Sequence, residues 1–238
     1  MADVLDNPIW FALTTRHESL ALSQGDARRY PKEVSPFAAL CEPTPAAFSD
    51  LQVLVRPEER AALFTAAPLD VPRAWRVEQS RWIEQMICEV LHAGQALQAL
   101  PLSAADVPEM LALTAATEPG PFLPRTIELG RYFGIRSDDG RLAAMAGERL
   151  RLSRFTEISA VCTHPDFRGR GYAKALVTML AAKIMSEGRM PFLHVNPDNG
   201  AKVVYEKIGF RIRTRIRLTV ISPAWEHGEQ NPVEAKLS

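Results

Sequence analysis

The sequence of 238 residues predicts an α+β fold, and three stretches carry that prediction. Residues 167–177, FRGRGYAKALV, open the clearest helix in the chain. Asp139-Gly140 lies between two apolar runs, the commonest short hairpin signal. Residues 210–220, FRIRTRIRLTV, alternate apolar and mostly basic side chains, the period of a strand.

The bulk composition sets the limits. Hydrophobic residues make up 47% and charged residues 24% of the chain, enough apolar material to bury a core. Basic and acidic residues balance at 28 each, which gives no electrostatic argument for nucleic acid or for an anionic membrane. The start, MADVLDNPIW, has neither a basic n-region nor an apolar h-region. No window approaches the roughly 18 apolar residues of a membrane span, so a cytoplasmic protein is expected. Cys41, Cys88 and Cys162 stand far apart. They form neither a zinc spacing nor a disulfide framework and read as small buried hydrophobes in a reducing compartment, with no metal implied.

Taken in order, residues 1 to 75 read as helical segments broken by prolines. RPEERAALF suits a helix start, with acids early and apolar residues later, and DVPRAW reads as a connection. RWIEQMICEVL, at 81–91, fits either a strand or a helix. QALQALPL predicts a short strand. SAADVPEMLAL predicts a helix on which Ser103 and Asp106 form a capping box. EPGPFLPRTIELG is a loop leading into a short helix, the Asp139-Gly140 hairpin follows, and FTEISAVCT is a further strand. Ala173, Leu176, Val177, Leu180, Ala181 and Ile184 then form one helical stripe, with Gly188 placed to end it. MPFLHVNPDNGAKVVYEKIGF reads as strand, loop, helix and strand, with Asn199 as N-cap and Gly209 as terminator.

The opening loop lies between a strand and a helix start. Such a start leaves backbone N–H groups unpaired and carries roughly half a positive charge. Gly169 and Gly171 let an anion approach those amides with no Cβ in the way, and Arg168 and Arg170 add positive charge. A phosphate or pyrophosphate suits the place. A P-loop is excluded because Gly-Lys-Ser/Thr is missing, and the dinucleotide fingerprint because Lys174 stands where a third Gly or Ala belongs. The plainer alternative is a glycine turn with solvated arginines. By spacing alone, Tyr205 shares a helical face with Ala201, Val204 and Ile208 and reads as core.

Two ordered motifs make residues 96–222 resemble the GNAT acyltransferase superfamily. Arg-x-x-Gly-x-Gly/Ala is met by Arg168, Gly171 and Ala173. Asn-x-Ala-x-x-x-Tyr-x-x-x-Gly-Phe is met by Asn199, Ala201, Tyr205, Gly209 and Phe210. The resemblance implies a mixed, mostly antiparallel sheet flanked by helices, splayed between the strands at 155–163 and 191–196. It implies acetyl-CoA or another acyl-CoA as co-substrate. Its pyrophosphate would rest on the amides of Arg168, Gly169, Arg170, Gly171, Tyr172 and Ala173, with Asn199 also on the cofactor side. Its pantetheine would pair with the backbone of Val161, Cys162 and Thr163 like an added strand. The layout suggests an accessory half at 1–95, mainly helical or degenerate α/β, before the GNAT domain at 96–222, with a tail at 223–238. In that layout the chain is similar to glycine N-acyltransferase-like proteins.

Acyl transfer to an amine sets three requirements. An alkyl ammonium with a pKa of about 10.4 must lose its proton, the thioester oxygen needs a donor, and the departing thiolate benefits from a proton. By resemblance, Tyr205 is the acid and a backbone amide near Val161 is the oxyanion donor. Glu157 is the candidate base, since alternation puts Glu157, Ser159, Val161 and Thr163 on one side of a strand. His164 and His194 are the alternatives. Cys162 as nucleophile is disfavoured, since the family transfers the acyl group directly. The expected acceptor is a small-molecule amine or amino acid. A protein N-terminus or lysine is one rival, and a catalytically silent CoA-binding module is another. The arginines of FRIRTRIRLTV form either a basic wall for an acidic acceptor or a solvent face paired with acids or with a homodimer partner.

Overall fold

The computed structural model describes residues 3–94 and 97–224. The first half contains α1 (Pro8–Leu13), β1 (Leu22–Gln24), β2 (Ala27–Arg29), β3 (Ala38–Leu40), α2 (Pro45–Leu54), β4 (Ala61–Thr65) and β5 (Trp75–Cys88). The second half contains β6 (Leu100–Leu102), α3 (Val107–Thr117), β7 (Tyr132–Arg136), β8 (Leu142–Arg151), β9 (Phe155–Thr163), α4 (Tyr172–Ser186), β10 (Met190–Val195), α5 (Lys202–Ile208) and β11 (Phe210–Pro223). Of the expected tail, Pro223 ends β11, and residues 225–238 lie outside the described part. The predicted strand QALQALPL survives as β6 alone, and its first two residues also lie outside the described part.

Several local expectations agree with the structure. Ser103 and Asp106 form the capping box that precedes α3. Gly140, at φ +85°, turns the hairpin between β7 and β8. Leu176, Val177, Leu180, Ala181 and Ile184 of α4 are buried, and Gly188 follows the helix end at φ +72°. RPEERAALF, in contrast, starts no helix. Its apolar end is β4, which pairs antiparallel with β11. Five residues carry little helix nucleation of their own, and an available ladder partner outweighs their helix propensity.

Strands β4-β11-β5-β10-β9-β8-β7-β6 form one sheet of eight strands, while β1, β2 and β3 form a small separate one. Strand β5 lies between β11 and β10. The expected boundary near residue 95 therefore does not separate two bodies, because the first half supplies an interior strand of the sheet that the second half completes. The 81–91 segment resolves as strand because β5 pairs along its length with β11 and over four residues with β10. In the large sheet β9 and β10 form the one parallel pair among the described strands. Their pairing covers only Phe155–Glu157 against Met190–Phe192, after which they part. This is the splay expected between these two strands.

Helices α4 and α5 cover one face of the sheet. Their side chains pack on Met86, Ile158, Leu193 and Val195. Residues of α1 cover the opposite face over Phe64, Ile83, Ile87, Phe192 and Ile216. On that face, α3 packs over Met145, Ala160 and Cys162. Two bulges decide which residues face which way. In β11, Ile212 pairs with Met86 but Thr214 with Gln85, leaving Arg213 as an extra residue. Phe210 thus packs with α4 and α5 while Ile216, of the same parity, packs with α1. The period-2 pattern of FRIRTRIRLTV is interrupted there, and the extra residue is re-aimed. Arg213 reaches Asp6 at 2.7 Å and Asp3 at 3.0 Å, and Arg211 reaches Glu89 at 2.6 Å. These arginines are paired with acids and do not line the cleft.

Under α1 the ring of His17 is buried and meets the Tyr30 hydroxyl at 2.8 Å from Nδ1. Burial, helped by the nearby Arg151 charge, lowers the His17 pKa from 6.5 to about 4. Between those two values the unfolded chain binds a proton that the folded chain does not, so stability rises with pH across this window. Lowering the pH from 7 to 4 is expected to remove about 3 kcal/mol through this ring, read as a falling urea midpoint. His17→Gln is expected to flatten that part of the profile.

Candidate active site

The parting of β9 from β10 opens a cavity of about 1330 Å³. That exceeds the roughly 300–1,000 Å³ of an ordinary small-molecule site, so there is room for a long ligand and a second one beside it. Beyond Glu157, β9 has no ladder partner on its β10 side. The backbone of Val161, Cys162 and Thr163 lines the opening and offers an edge to an extended, amide-bearing ligand.

On the α4 side the cavity ends at the glycine loop. Gly169 and Gly171 adopt φ values of +78° and +79°, the left-handed region that glycine enters without steric cost. A Cβ built on Gly169 would meet nothing, so the space over it is open. Gly171 is the N-cap of α4 and provides no side-chain cap, so the first-turn amides look outward with the helix dipole behind them. Arg168, Arg170, Tyr172, Ala173 and Lys174 complete this wall. Arg170 packs its guanidinium 5.2 Å from the Phe167 ring centre. This chemistry suits a diphosphate, and the free β9 edge beside it suits the amides of a pantetheine arm, so the residues present fit an acyl-CoA.

Strand β9 carries its own irregularity. Met145 pairs with Cys162 and Gly147 with Ser159, so Ala160 and Val161 together face Ala146. Ala160 sits at φ +52°, an uncommon conformation for a residue with a Cβ. The bulge inverts the expected alternation. Val161 packs on the α4 side with Ile158, whereas Ala160 and Cys162 pack on the α3 side. Glu157 therefore does not share a side with Val161 and Thr163.

Glu157 is fully buried and is not part of the cavity wall. Arg149 donates to its two oxygens at 2.9 and 2.5 Å, and His194 Nδ1 donates to Oε1 at 2.7 Å. Desolvation acts to raise its pKa, but the Arg149 charge and these hydrogen bonds outweigh it and hold the carboxyl at about 2. The same network defines the imidazole. Arg213 can only donate, so Gln85 turns Oε1 towards it at 2.9 Å. Gln85 Nε2 then donates to the Leu5 carbonyl at 2.9 Å and to His194 Nε2 at 3.0 Å. His194 thus accepts at Nε2 and carries its proton on Nδ1. His194 and Arg149 do line the cavity, on the face opposite α4. His164 lines a separate pocket of about 200 Å³.

Tyr205 stands on α5, buried but lining the cavity. Burial pushes its hydroxyl up to about 12, so it keeps its proton throughout the neutral range. Burial also raises the Cys162 thiol to about 11, which leaves it a poor nucleophile. Asn199 lines the cavity too, but it is not the N-cap of α5. That place falls to Ala201, whose N–H is accepted by Asn199 Oδ1 at 2.9 Å. The asparagine caps the turn ahead of the helix.

The wall opposite α4 contains residues that the sequence did not single out. Phe37, Arg60, Phe64, Gln79 and Arg81 come from the first half, and Glu118 from the end of α3. Nothing in their spacing signals a site, because β4, β5 and β11 come together only in the folded sheet.

Fold and cleft together define a protein with an open strand edge and an anion-binding helix start on a splayed sheet. A family model described as FR47-like protein matches residues 132–218. A GNAT-family protein from Novosphingobium aromaticivorans is 35% identical, with a TM-score of 0.86 over 94% of this chain and 100% of that one. A GCN5-related N-acetyltransferase from Kribbella flavida shares the fold at a TM-score of 0.59 and 17% identity, over 93% of this chain and 97% of that one. An acetyltransferase from Yersinia enterocolitica is 43% identical over 58 residues, which is 23% of this chain and 40% of that relative's length. The chain belongs to the GNAT family of acetyltransferases. None of the described helices is long and apolar enough to cross a membrane.

Removing the Glu157 charge leaves Arg149 buried without its counterion, which for a buried pair costs about 3–5 kcal/mol. Glu157→Gln is therefore expected to lower the melting temperature by many degrees. A residue acting only as a base would lose turnover at unchanged melting temperature, and differential scanning calorimetry separates the two.

Proposed function

We propose that this chain transfers an acetyl or other short acyl group from acyl-CoA directly to the primary amine of a small molecule or amino acid. The observation that carries the reading is the unpaired edge of β9 running to a double-glycine helix start, inside one cavity with room for a second ligand. The acyl-CoA supplies an activated thioester. Arg168 to Ala173 would hold its diphosphate, with Asn199 also on the cofactor side. By the resemblance, a backbone N–H near Val161, in the bulge, would donate to the thioester oxygen, where negative charge develops. The similarity of layout to glycine N-acyltransferase-like proteins keeps amino acids among the acceptors.

Tyr205 serves the departing sulfur. A phenol at about 12 donates weakly to an ordinary thiolate, whose own value is about 8.5. Glu157 anchors Arg149 and His194. A carboxylate at about 2, fully engaged and behind the wall, receives an ammonium proton poorly, so we assign that proton to water at the open mouth of the cavity. The whole domain is read as cytoplasmic.

Isothermal titration with acetyl-CoA tests the reading, and no heat of binding at millimolar ligand would overturn it. Gly171→Val places a Cβ on a left-handed residue at the diphosphate site and is expected to weaken acetyl-CoA binding by at least about tenfold. Tyr205→Phe is expected to lower turnover by about 10²-fold while acetyl-CoA affinity stays nearly unchanged. Unchanged turnover would remove the role assigned to the hydroxyl.

A further inference from the structure

The cavity continues past the end of β10 onto a shelf made by β5, β11 and β4. Strand β10 pairs with β5 only as far as Val195 against Glu84. Beyond that point β5 and β11 run on together, with β4 on the outer side of β11. Two registered rows cross this shelf. Arg81 pairs with Leu218, which pairs with Phe64. Gln79 pairs with Val220, which pairs with Ala62. All six line the cavity on the face opposite α4. Strands are about 4.8 Å apart and residues two apart along a strand about 6.8 Å, so the apolar floor is only about 10 Å wide. Phe37, which bridges to Ala62 of β4, and Arg60, the residue ahead of β4, also line it.

The charges around this floor are lopsided. Arg149, though in the same wall, is paired with Glu157. Among the described residues, Arg60 and Arg81 make no ion pair and Glu118 is the one acid that lines the cavity. A polyamine or other cationic acceptor would meet repulsion here. An uncompensated guanidinium beside apolar side chains suits a ligand with a carboxylate and an apolar body, because its fork matches a carboxylate in two hydrogen bonds. Position selects between the two arginines. Arg81 is on β5, three residues past the rung where β10 ends and with β10 between it and the splay, whereas Arg60, just ahead of β4, lies two strands further out. In an α-amino acid one carbon separates amine from carboxylate, so of these two arginines the nearer one, Arg81, is the better placed to hold the carboxylate while the amine points to the thioester.

We infer that the acceptor is an apolar α-amino acid, its carboxylate held by Arg81 and its side chain laid on Phe64, Leu218 and Val220. This rests on the acyl-transfer reading above and narrows it. Arg81 is a specificity-determining residue of the acceptor side and stands apart from the diphosphate loop.

The test compares the twenty protein amino acids with their carboxamides and with spermidine, in a thiol-release assay with acetyl-CoA, after acetyl-CoA binding has been measured by titration. The expected result is turnover of apolar amino acids with kcat/KM at least about tenfold above that of the matching carboxamides. Arg81→Gln is expected to raise KM for the acid about tenfold while the carboxamide's KM, kcat and acetyl-CoA affinity hold. Arg60→Gln is expected to do less. Three outcomes overturn the inference while acetyl-CoA still binds: no amino acid is acetylated, carboxamides or spermidine match the acids, or Arg81→Gln weakens acid and amide alike. Loss of acetyl-CoA binding to the unaltered chain would instead overturn the acyl-transfer reading, and this inference with it.

Discussion

One buried carboxylate holds the centre of this molecule together. Glu157 lies at the last rung where β9 and β10 are still paired, and it ties β8 through Arg149 and β10 through His194. Just above it the two strands separate. A splayed sheet loses ladder hydrogen bonds, and something must stop the separation from travelling down the strands. A charged clamp at the fork does this, because opening it would leave an arginine and a carboxylate without partners in a dry interior.

The clamp also organises what surrounds it. His194 is held in one tautomer through Gln85, which is held in turn by the Leu5 carbonyl and by Arg213. Arg213 can reach Gln85 because a bulge in β11 re-aims it, and it is steadied by Asp3 and Asp6. The chain of contacts thus runs from the beginning of the described chain to the middle of the cleft. Arg149 completes the packing by lying 4.8 Å from the centre of the Phe37 ring, so first-half and second-half residues meet at the site.

What could be read from the sequence follows the range of the interactions concerned. The glycine loop, the α4 stripe, the Asp139-Gly140 turn and the Ser103–Asp106 box are local, since each depends on residues within a few positions of one another. They agree with the structure, except that Ala173 of the stripe is only half-buried and lines the cavity. The bulges at Ala160–Val161 and at Arg213 are invisible to alternation counting, because a single extra residue leaves composition and period unchanged on either side. Alternation therefore groups Glu157 with Val161 and makes the arginine-rich strand regular throughout, where the structure has a bulge in each strand. The placement of β4 and β5 depends on partners more than a hundred residues away, and a proline-rich first half offers no signal of it. The acceptor wall was hidden for the same reason.

The interior position of β5 has a consequence for how the chain reaches this state. Both of its neighbours, β10 and β11, are the last two strands to emerge during synthesis. Until then β5 presents two bare edges, with Ile83 and Met86 among the apolar side chains it must keep from other partners. Loop closures of this length are entropically costly and slow to nucleate, and an unpaired strand is a template for mispairing. The exposed residues at its beginning, among them Arg76, Glu78 and Arg81, place charges along that edge. Strand β5 enters the sheet only after its partners exist, so neither half of the chain can assemble the cleft ahead of the other.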